Sequence, residues 1–182
     1  TTAAASMLQL QPVTDDEVRR VIMGSPTKSC TLDPIPTSIL KEVLDVLLPF
    51  ITAMFNASLR EGFLPLSQRH AIVTPLLKKP SLDPDELKNY RPVSNLTFVS
   101  KVVERLVSEQ FNKYLLENDL LPPLQSAYRR HHSTETALLR VVSDLLSAAD
   151  CRQVSLLGLL DLSAAFDCVD HDILLQRLEN HF

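Results

Sequence analysis

Val154-Ser155-Leu156-Leu157-Gly158-Leu159-Leu160-Asp161-Leu162-Ser163-Ala164-Ala165-Phe166-Asp167 is the stretch on which the reading of this chain turns. An apolar run without proline rises to Asp161, a carboxylate that is hard to bury. Runs of this length that end abruptly in polar residues read as buried strands. A carboxylate at the exit of such a strand is held in place and still reaches a cation in a cleft. Two-metal phosphoryl-transfer sites need anchored acids of this kind, because Mg²⁺ prefers carboxylate oxygens, water and substrate phosphate. The plainer alternative is a cap or turn residue at a strand end. A motif this short is a hypothesis until its surroundings agree with it.

The surroundings are those of a globular chain. It has 182 residues, enough for one domain or one domain and part of another, and 45% are hydrophobic, enough to build a core. No apolar run approaches the roughly 20 residues that span a bilayer, so no membrane partner is expected. Thr1 to Leu10 shows neither a charged start nor a long apolar segment, so no signal peptide is expected. Cys30, Cys151 and Cys168 are odd in number, lack metal-ligand spacing and read as ordinary thiols of a reducing compartment. The expected location is intracellular, cytoplasmic and/or nuclear.

The net charge of −4, from 18 basic and 22 acidic residues, argues mildly against a nucleic-acid binder. The distribution argues the other way. Lys78, Lys79, Lys88 and Arg91 form one basic zone, and Arg129, Arg130, His131 and His132 a second. Acids gather at Asp15, Asp16 and Glu17, and again at Asp161, Asp167, Asp170 and Asp172. Separate zones of this kind can hold polyphosphate at one and metal at the other. For most of these residues taken singly, solvated surface charge is the simpler account. Adjacent His131 and His132 diverge on strand or helix geometry and are not taken as metal ligands.

Local signals outline the elements. Thr14 with Glu17 is a capping-box pattern, and Gly24 a stop, so a short helix lies between them. Pro26, Pro34 and Pro36 make Ser25 to Thr37 a loop. A second helix is expected from about Thr37 to Leu48, and Pro49 is expected to start a third that ends at Gly62. Arg69 to Leu77 and Lys88 to Leu96 read as two strands of an antiparallel hairpin, although Pro75 and Pro92 suit only edges or strand ends. Val99, Val102, Val103, Leu106, Val107, Phe111 and Tyr114 fall on one face of the clearest helix. A further helix is expected from Ser133 or Thr134 to about Ala149, with Leu138, Val141, Val142, Leu145 and Leu146 toward a core. The buried strand to Asp161 follows, then a last helix from about His171.

Several stretches match one family in order. Asp161 to Asp167 resembles motif A of the reverse transcriptases, Asp-x-x-x-Ala-Phe/Tyr-Asp. The LINE-type (non-LTR) retrotransposon enzymes write it almost as here, through Val169-Asp170-His171, with Cys168 at a variable position. Arg69-His70-Ala71-Ile72-Val73-Thr74-Pro75-Leu76-Leu77-Lys78-Lys79-Pro80 resembles their first fingers motif, and Asn89-Tyr90-Arg91-Pro92-Val93-Ser94 the second. Gln125 to Ala137 is similar to their Gln-x-x-Phe/Tyr-Arg-x-x-His-Ser-Thr segment. Asp33-Pro34-Ile35-Pro36, where the family usually begins Gly-Pro-Asp-Gly, and Glu61-Gly62-Phe63-Leu64-Pro65 also match. The resemblance runs from about Thr14 to the end of the chain.

The resemblance implies a function and a set of roles. The complete protein would be an RNA-directed DNA polymerase, a nucleotidyltransferase binding an RNA template, a DNA primer and dNTP, with two Mg²⁺ ions as cofactor. Asp161 would be the catalytic metal ligand, and Leu162 would offer its backbone carbonyl. Phe166 would be the aromatic gate beneath the sugar that excludes a 2′-hydroxyl; core packing is its alternative. Asp167 is left between the site and a helix cap. Lys78, Lys79 and Arg91 would bind the triphosphate of the incoming nucleotide. Arg91 leads, because a guanidinium grips phosphate in a bidentate fork. Its alternative is a surface pair with Asp85 or Glu86, and that of the lysines a solvated loop. Arg129 and Arg130 are read as contacts to template or primer phosphate.

One departure bears on activity. The second palm element, Phe/Tyr-Ala-Asp-Asp, does not occur in this sequence, nor does the template-grip motif before it. The chain alone is therefore expected to be inactive. The expected fold is α+β: fingers and partial palm of a right-hand polymerase, mostly helical, with a β-hairpin and one palm strand. Residues 1–64 are read as a helical N-terminal region, 65–150 as fingers and 151–182 as the start of the palm. Two rivals are a non-catalytic RNA-binding or protein-interaction module from a decayed retroelement, and an unrelated helical adaptor. Oligomeric state is not legible in the sequence.

Overall fold

The computed structural model describes Met7, residues 9–161 and residues 168–181. Its elements are α1 (Asp15–Gly24), α2 (Thr37–Glu42), α3 (Leu44–Glu61), β1 (Ala71–Leu77), β2 (Tyr90–Leu96), α4 (Phe98–Glu117), α5 (Thr134–Asp150) and α6 (His171–His181). The order is helical with one antiparallel pair, as an α+β reading requires. The chain divides into two units, one of Met7–Tyr114 and one that holds Leu115–Phe182.

In the first unit α1 begins where its letters say. The Thr14 hydroxyl accepts from the Glu17 N–H (3.3 Å), and the Glu17 carboxylate accepts from the Thr14 N–H (2.8 Å). That backbone bond, joined by the Thr14 hydroxyl, holds the Glu17 pKa below the usual carboxylate range. A carboxylate depressed on folding adds stability above its unfolded pKa and loses it as pH falls through the folded value. Thr14→Ala should cost about 1 kcal/mol near pH 7. The gap to the unaltered chain should narrow in acid, measured by urea denaturation at neutral pH and near pH 3. An equal gap at both pH values would show that the Thr14 hydroxyl does not act on the Glu17 carboxylate.

The expected break between the second and third helices moves. Val43, not Pro49, ends α2, with φ −98° and ψ 14°, and α3 runs through Pro49. Pro49 cannot donate to the Asp45 carbonyl, but both residues are exposed and water can serve that carbonyl. Gly62, at φ 64°, closes α3 in the left-handed conformation that glycine adopts without strain. Val18 and Ile22 of α1, Leu44 and Phe55 of α3, and Val102 and Leu106 of α4 meet in the core. Arg20 of α1 donates to both carboxylate oxygens of Glu109 on α4 (3.2 and 2.6 Å).

The hairpin has Ala71 opposite Leu96 and Leu77 opposite Tyr90. The Lys78 N–H donates to the Asn89 carbonyl (2.8 Å), which fixes the alternation of bonded and non-bonded pairs. Pro75 then faces Pro92 at a pair that exchanges no ladder bonds, so neither ring deprives the other strand of a donor. A lone hairpin is marginal in water. This one is tied at its base: Thr97 Oγ1 donates to Gln68 Oε1 (2.7 Å) and Ser100 Oγ to the Gln68 carbonyl (2.6 Å). Asp33 adds a long-range tie, accepting from the Phe98 N–H (2.7 Å) at the start of α4.

In the second unit, α5 is capped by Ser133, whose hydroxyl accepts from the Thr136 N–H (3.3 Å). Its apolar face does not enter a core: Leu138, Val142 and Leu146 are exposed, and no residue of α5 is buried. The periodicity fixes which residues share a face but not what covers it. Residues 153–161 are also a correction. They form no strand, and Val154, Leu156 and Leu160 are almost fully exposed. A strand needs a ladder partner for its N–H and C=O groups, and the sheet among the described residues has only β1 and β2. The expected palm strand is therefore not formed here. Asp170 caps α6, its carboxylate accepting from the Asp172 and Ile173 N–H groups (3.0 and 3.1 Å).

Candidate active site

Three of the expected phosphate-binding cations lie on the hairpin. Arg91 pairs across the ladder with Leu76, and Lys78 continues β1 two residues on. Side chains alternate along a strand and cross-strand partners share a face, so Arg91 and Lys78 are on the same face of the hairpin. Arg91 is exposed and makes no ion pair among the described residues; Glu86 is taken by Lys88 at 3.1 Å. Lys78 Nζ donates to the Lys88 carbonyl (2.8 Å), which holds it back toward the loop. The Lys79 side chain is exposed beyond it.

The loop between the strands is fastened by the residues just before Arg91. Asn89 Nδ2 donates to the Asp83 carbonyl (2.9 Å) and the Tyr90 hydroxyl to the Pro84 carbonyl (3.0 Å). The Asp85 N–H donates back to Asp83 Oδ1 (3.0 Å). These bonds fix the path of the chain into Arg91 and limit the freedom of the turn.

Arg129, Arg130 and Asp161 belong to the second unit. Arg129 Nη1 reaches the Pro122 and Pro123 carbonyls at 3.4 Å each, so this guanidinium leans on its own turn. Arg130 is exposed, and the backbone is left-handed on either side, at Tyr128 (φ 57°) and His131 (φ 64°). Asp161 is exposed and carries no hydrogen bond or ion pair to a described residue. Leu162, Phe166 and Asp167 lie outside the described residues. No group of three metal-ligating side chains occurs among the described residues. Asp161 thus offers open oxygens of the kind a hard cation takes, as one ligand, not a whole site.

Residues 77–182 match the reverse transcriptase (RNA-dependent DNA polymerase) family. The chain belongs to that family. Its relatives place this reverse transcriptase chain among retrotransposon proteins. It is 30% identical over 179 residues to the RNA-directed DNA polymerase from mobile element jockey of Drosophila melanogaster, covering 96% of this chain and 19% of that protein. It is 29% identical over 176 residues to the probable RNA-directed DNA polymerase from transposon BS of the same fly, again covering 96% and 19%. A 149 kDa protein of transposon TX1 from Xenopus laevis is 34% identical over 170 residues, covering 92% of this chain and 13% of that protein. The chain therefore spans about a fifth of the first two relatives. Among the described residues no helix is long and apolar enough to cross a membrane.

Some positions of this reverse transcriptase chain act in ways the sequence reading did not assign. Asn89 and Tyr90 were legible as part of a motif but not as loop fasteners. Asp33 was likewise legible as a motif position, not as the acceptor at the start of α4. Thr97, directly before the apolar run of α4, carried a visible signal: its hydroxyl accepts from the Ser100 N–H (3.1 Å) as an N-cap does.

Proposed function

We propose that this chain is the fingers and the opening of the palm of an RNA-directed DNA polymerase, copying an RNA template into DNA within a longer retrotransposon protein. Residues 1–64 are assigned to the helical N-terminal region, 65–150 to the fingers and 151–182 to the start of the palm. The observation that carries the reading is the hairpin face with Arg91 and Lys78 on it and Arg91 unpaired. The relatives named as RNA-directed DNA polymerases favour it over a non-catalytic module.

The reaction joins the primer 3′-oxygen to the α-phosphorus of a dNTP and releases pyrophosphate. Arg91, with Lys78 and Lys79, neutralises and orients the triphosphate, whose charge otherwise opposes approach. Asp161 and the Leu162 carbonyl would be the metal contacts of this chain, and the remaining carboxylates would come from the rest of the protein. Mg²⁺, when bound, supplies a lowered pKa at the primer hydroxyl and charge stabilisation on the leaving group. Phe166 is assigned the selection of deoxyribose, and Arg129 and Arg130 the holding of template or primer phosphate. The working location is inside the cell, in cytoplasm, nucleus or both.

The test is steady-state primer extension by the full-length parent enzyme. Arg91→Ala should raise the KM for dNTP by about ten- to a hundredfold, the equivalent of a charged hydrogen bond of about 1.5–3 kcal/mol, with kcat little changed. Unaltered dNTP dependence would return Arg91 to an ordinary surface residue.

A further inference from the structure

Apart from the hairpin, the first unit has a second collection of cations around a hollow. It lies between the turn after α1 and the first half of α4, has a volume of about 120 Å³, and is lined by Ser25, Lys28, Lys101 and Arg105 over Phe98 and Val102. We propose that this hollow binds a backbone phosphate of nucleic acid, and that it is a second phosphate contact independent of the hairpin.

Lys101 and Arg105 are four residues apart on α4, so their side chains rise from one face of the helix. Lys28 comes from the facing turn. Arg105 Nη1 donates to Ser25 Oγ (2.8 Å), and that hydroxyl donates to the Val21 carbonyl (2.6 Å). Ser25 is buried, so one edge of the guanidinium is anchored to a rigid point. Its other N–H groups remain for an acceptor, since a guanidinium carries five. Behind the turn, Lys41 Nζ donates to the Ser25 carbonyl (2.5 Å), adding a further positive charge to the same loop.

None of Lys28, Lys101 and Arg105 makes an ion pair among the described residues, and no carboxylate lines the hollow. Asp33 lies near Phe98 and keeps its negative charge, but its oxygens accept from the Phe98 and Cys30 N–H groups and pair with none of the three cations. Like charges held together repel, and an anion between them removes the repulsion and forms charge-assisted bonds. A tetrahedral phosphate fits the volume. The choice of a nucleic-acid phosphate over free phosphate rests on the polymerase reading; the anion site does not.

The experiment uses the whole chain and a fluorescently labelled single-stranded RNA, with binding read by anisotropy across a salt series. Lys28→Gln with Lys101→Gln should weaken binding by about three- to tenfold at low salt and flatten the salt slope by about 0.7 per lost contact. Both lysines are exposed, and circular dichroism of the variant should match the unaltered chain. RNA should also protect Lys28 and Lys101 from acylation, read by mass spectrometry. Unchanged affinity and slope, alongside weaker binding by an Arg129→Gln/Arg130→Gln variant, would overturn the second site and leave the polymerase reading standing. If neither variant differs from the unaltered chain, or the unaltered chain binds no RNA, both fail. Protection by inorganic phosphate but not by RNA would overturn the nucleic-acid assignment.

Discussion

Asp161→Asn in the full-length parent enzyme should abolish template-dependent synthesis. Asparagine keeps the shape of the side chain and removes the charge, and a hard dication takes charged oxygens far better than an amide. A loss of about 4 kcal/mol of transition-state stabilisation slows the step roughly 10³-fold. Single-turnover primer extension measures it, with Asp150→Asn, another exposed acid, as the control that should not change. Asp161 is exposed in the 182-residue chain, so that chain with Asp161→Asn should melt with the unaltered chain. A rate within tenfold of the unaltered enzyme would remove Asp161 from the metal site. The 182-residue chain alone should incorporate nothing beyond its own Asp161→Asn version, since it contains no Ala-Asp-Asp element.

Phe55→Ala should be the most damaging change to the first unit. Phe55 is fully buried on α3, within the cluster shared with α1 and α4. Truncating a buried Phe costs about 3–5 kcal/mol, because the cavity it leaves closes only in part. Domains of this kind are stable by about 5–15 kcal/mol in all, so the variant sits near the threshold of folding. Phe50 offers the internal contrast: it lies on the same helix but is 72% exposed. Phe50→Ala should change stability by no more than about 0.5 kcal/mol. Urea denaturation of both variants measures the difference, and equal losses would contradict the packing.

Where the chain interacts with itself nearby, its letters were enough. Thr14 with Glu17, Ser133 before α5 and the apolar runs of the hairpin are local signals, and each element stands where they point. Pro49 misled because a proline on the solvent side of a helix loses a bond that water can replace, and the burial of Leu44, Leu48 and Phe55 on the other side outweighs the cost that remains. The ties that fix the hairpin were out of reach for another reason. Gln68 to Ser100 and Asp33 to Phe98 join residues 32 and 65 positions apart, and no periodicity encodes such a pairing. Residues 153–161 show the converse limit. Their composition states that they suit burial, while the strand itself depends on neighbours that the sequence of the strand does not contain. The same holds for Leu138, Val142 and Leu146. At the candidate site, Arg91 and Lys78 were legible as residues, whereas their common face followed only from the register.

The proline pair at the centre of the hairpin also shapes how this protein meets its neighbours. At a pair without ladder bonds the backbone nitrogens point outward, one to each open edge. Pro75 and Pro92 therefore leave a missing donor midway along both edges. A stray strand from a second copy cannot zip along either side without stranding a carbonyl at that point. The hairpin is thereby kept solitary: an exposed, partly apolar arm that resists templating aggregation.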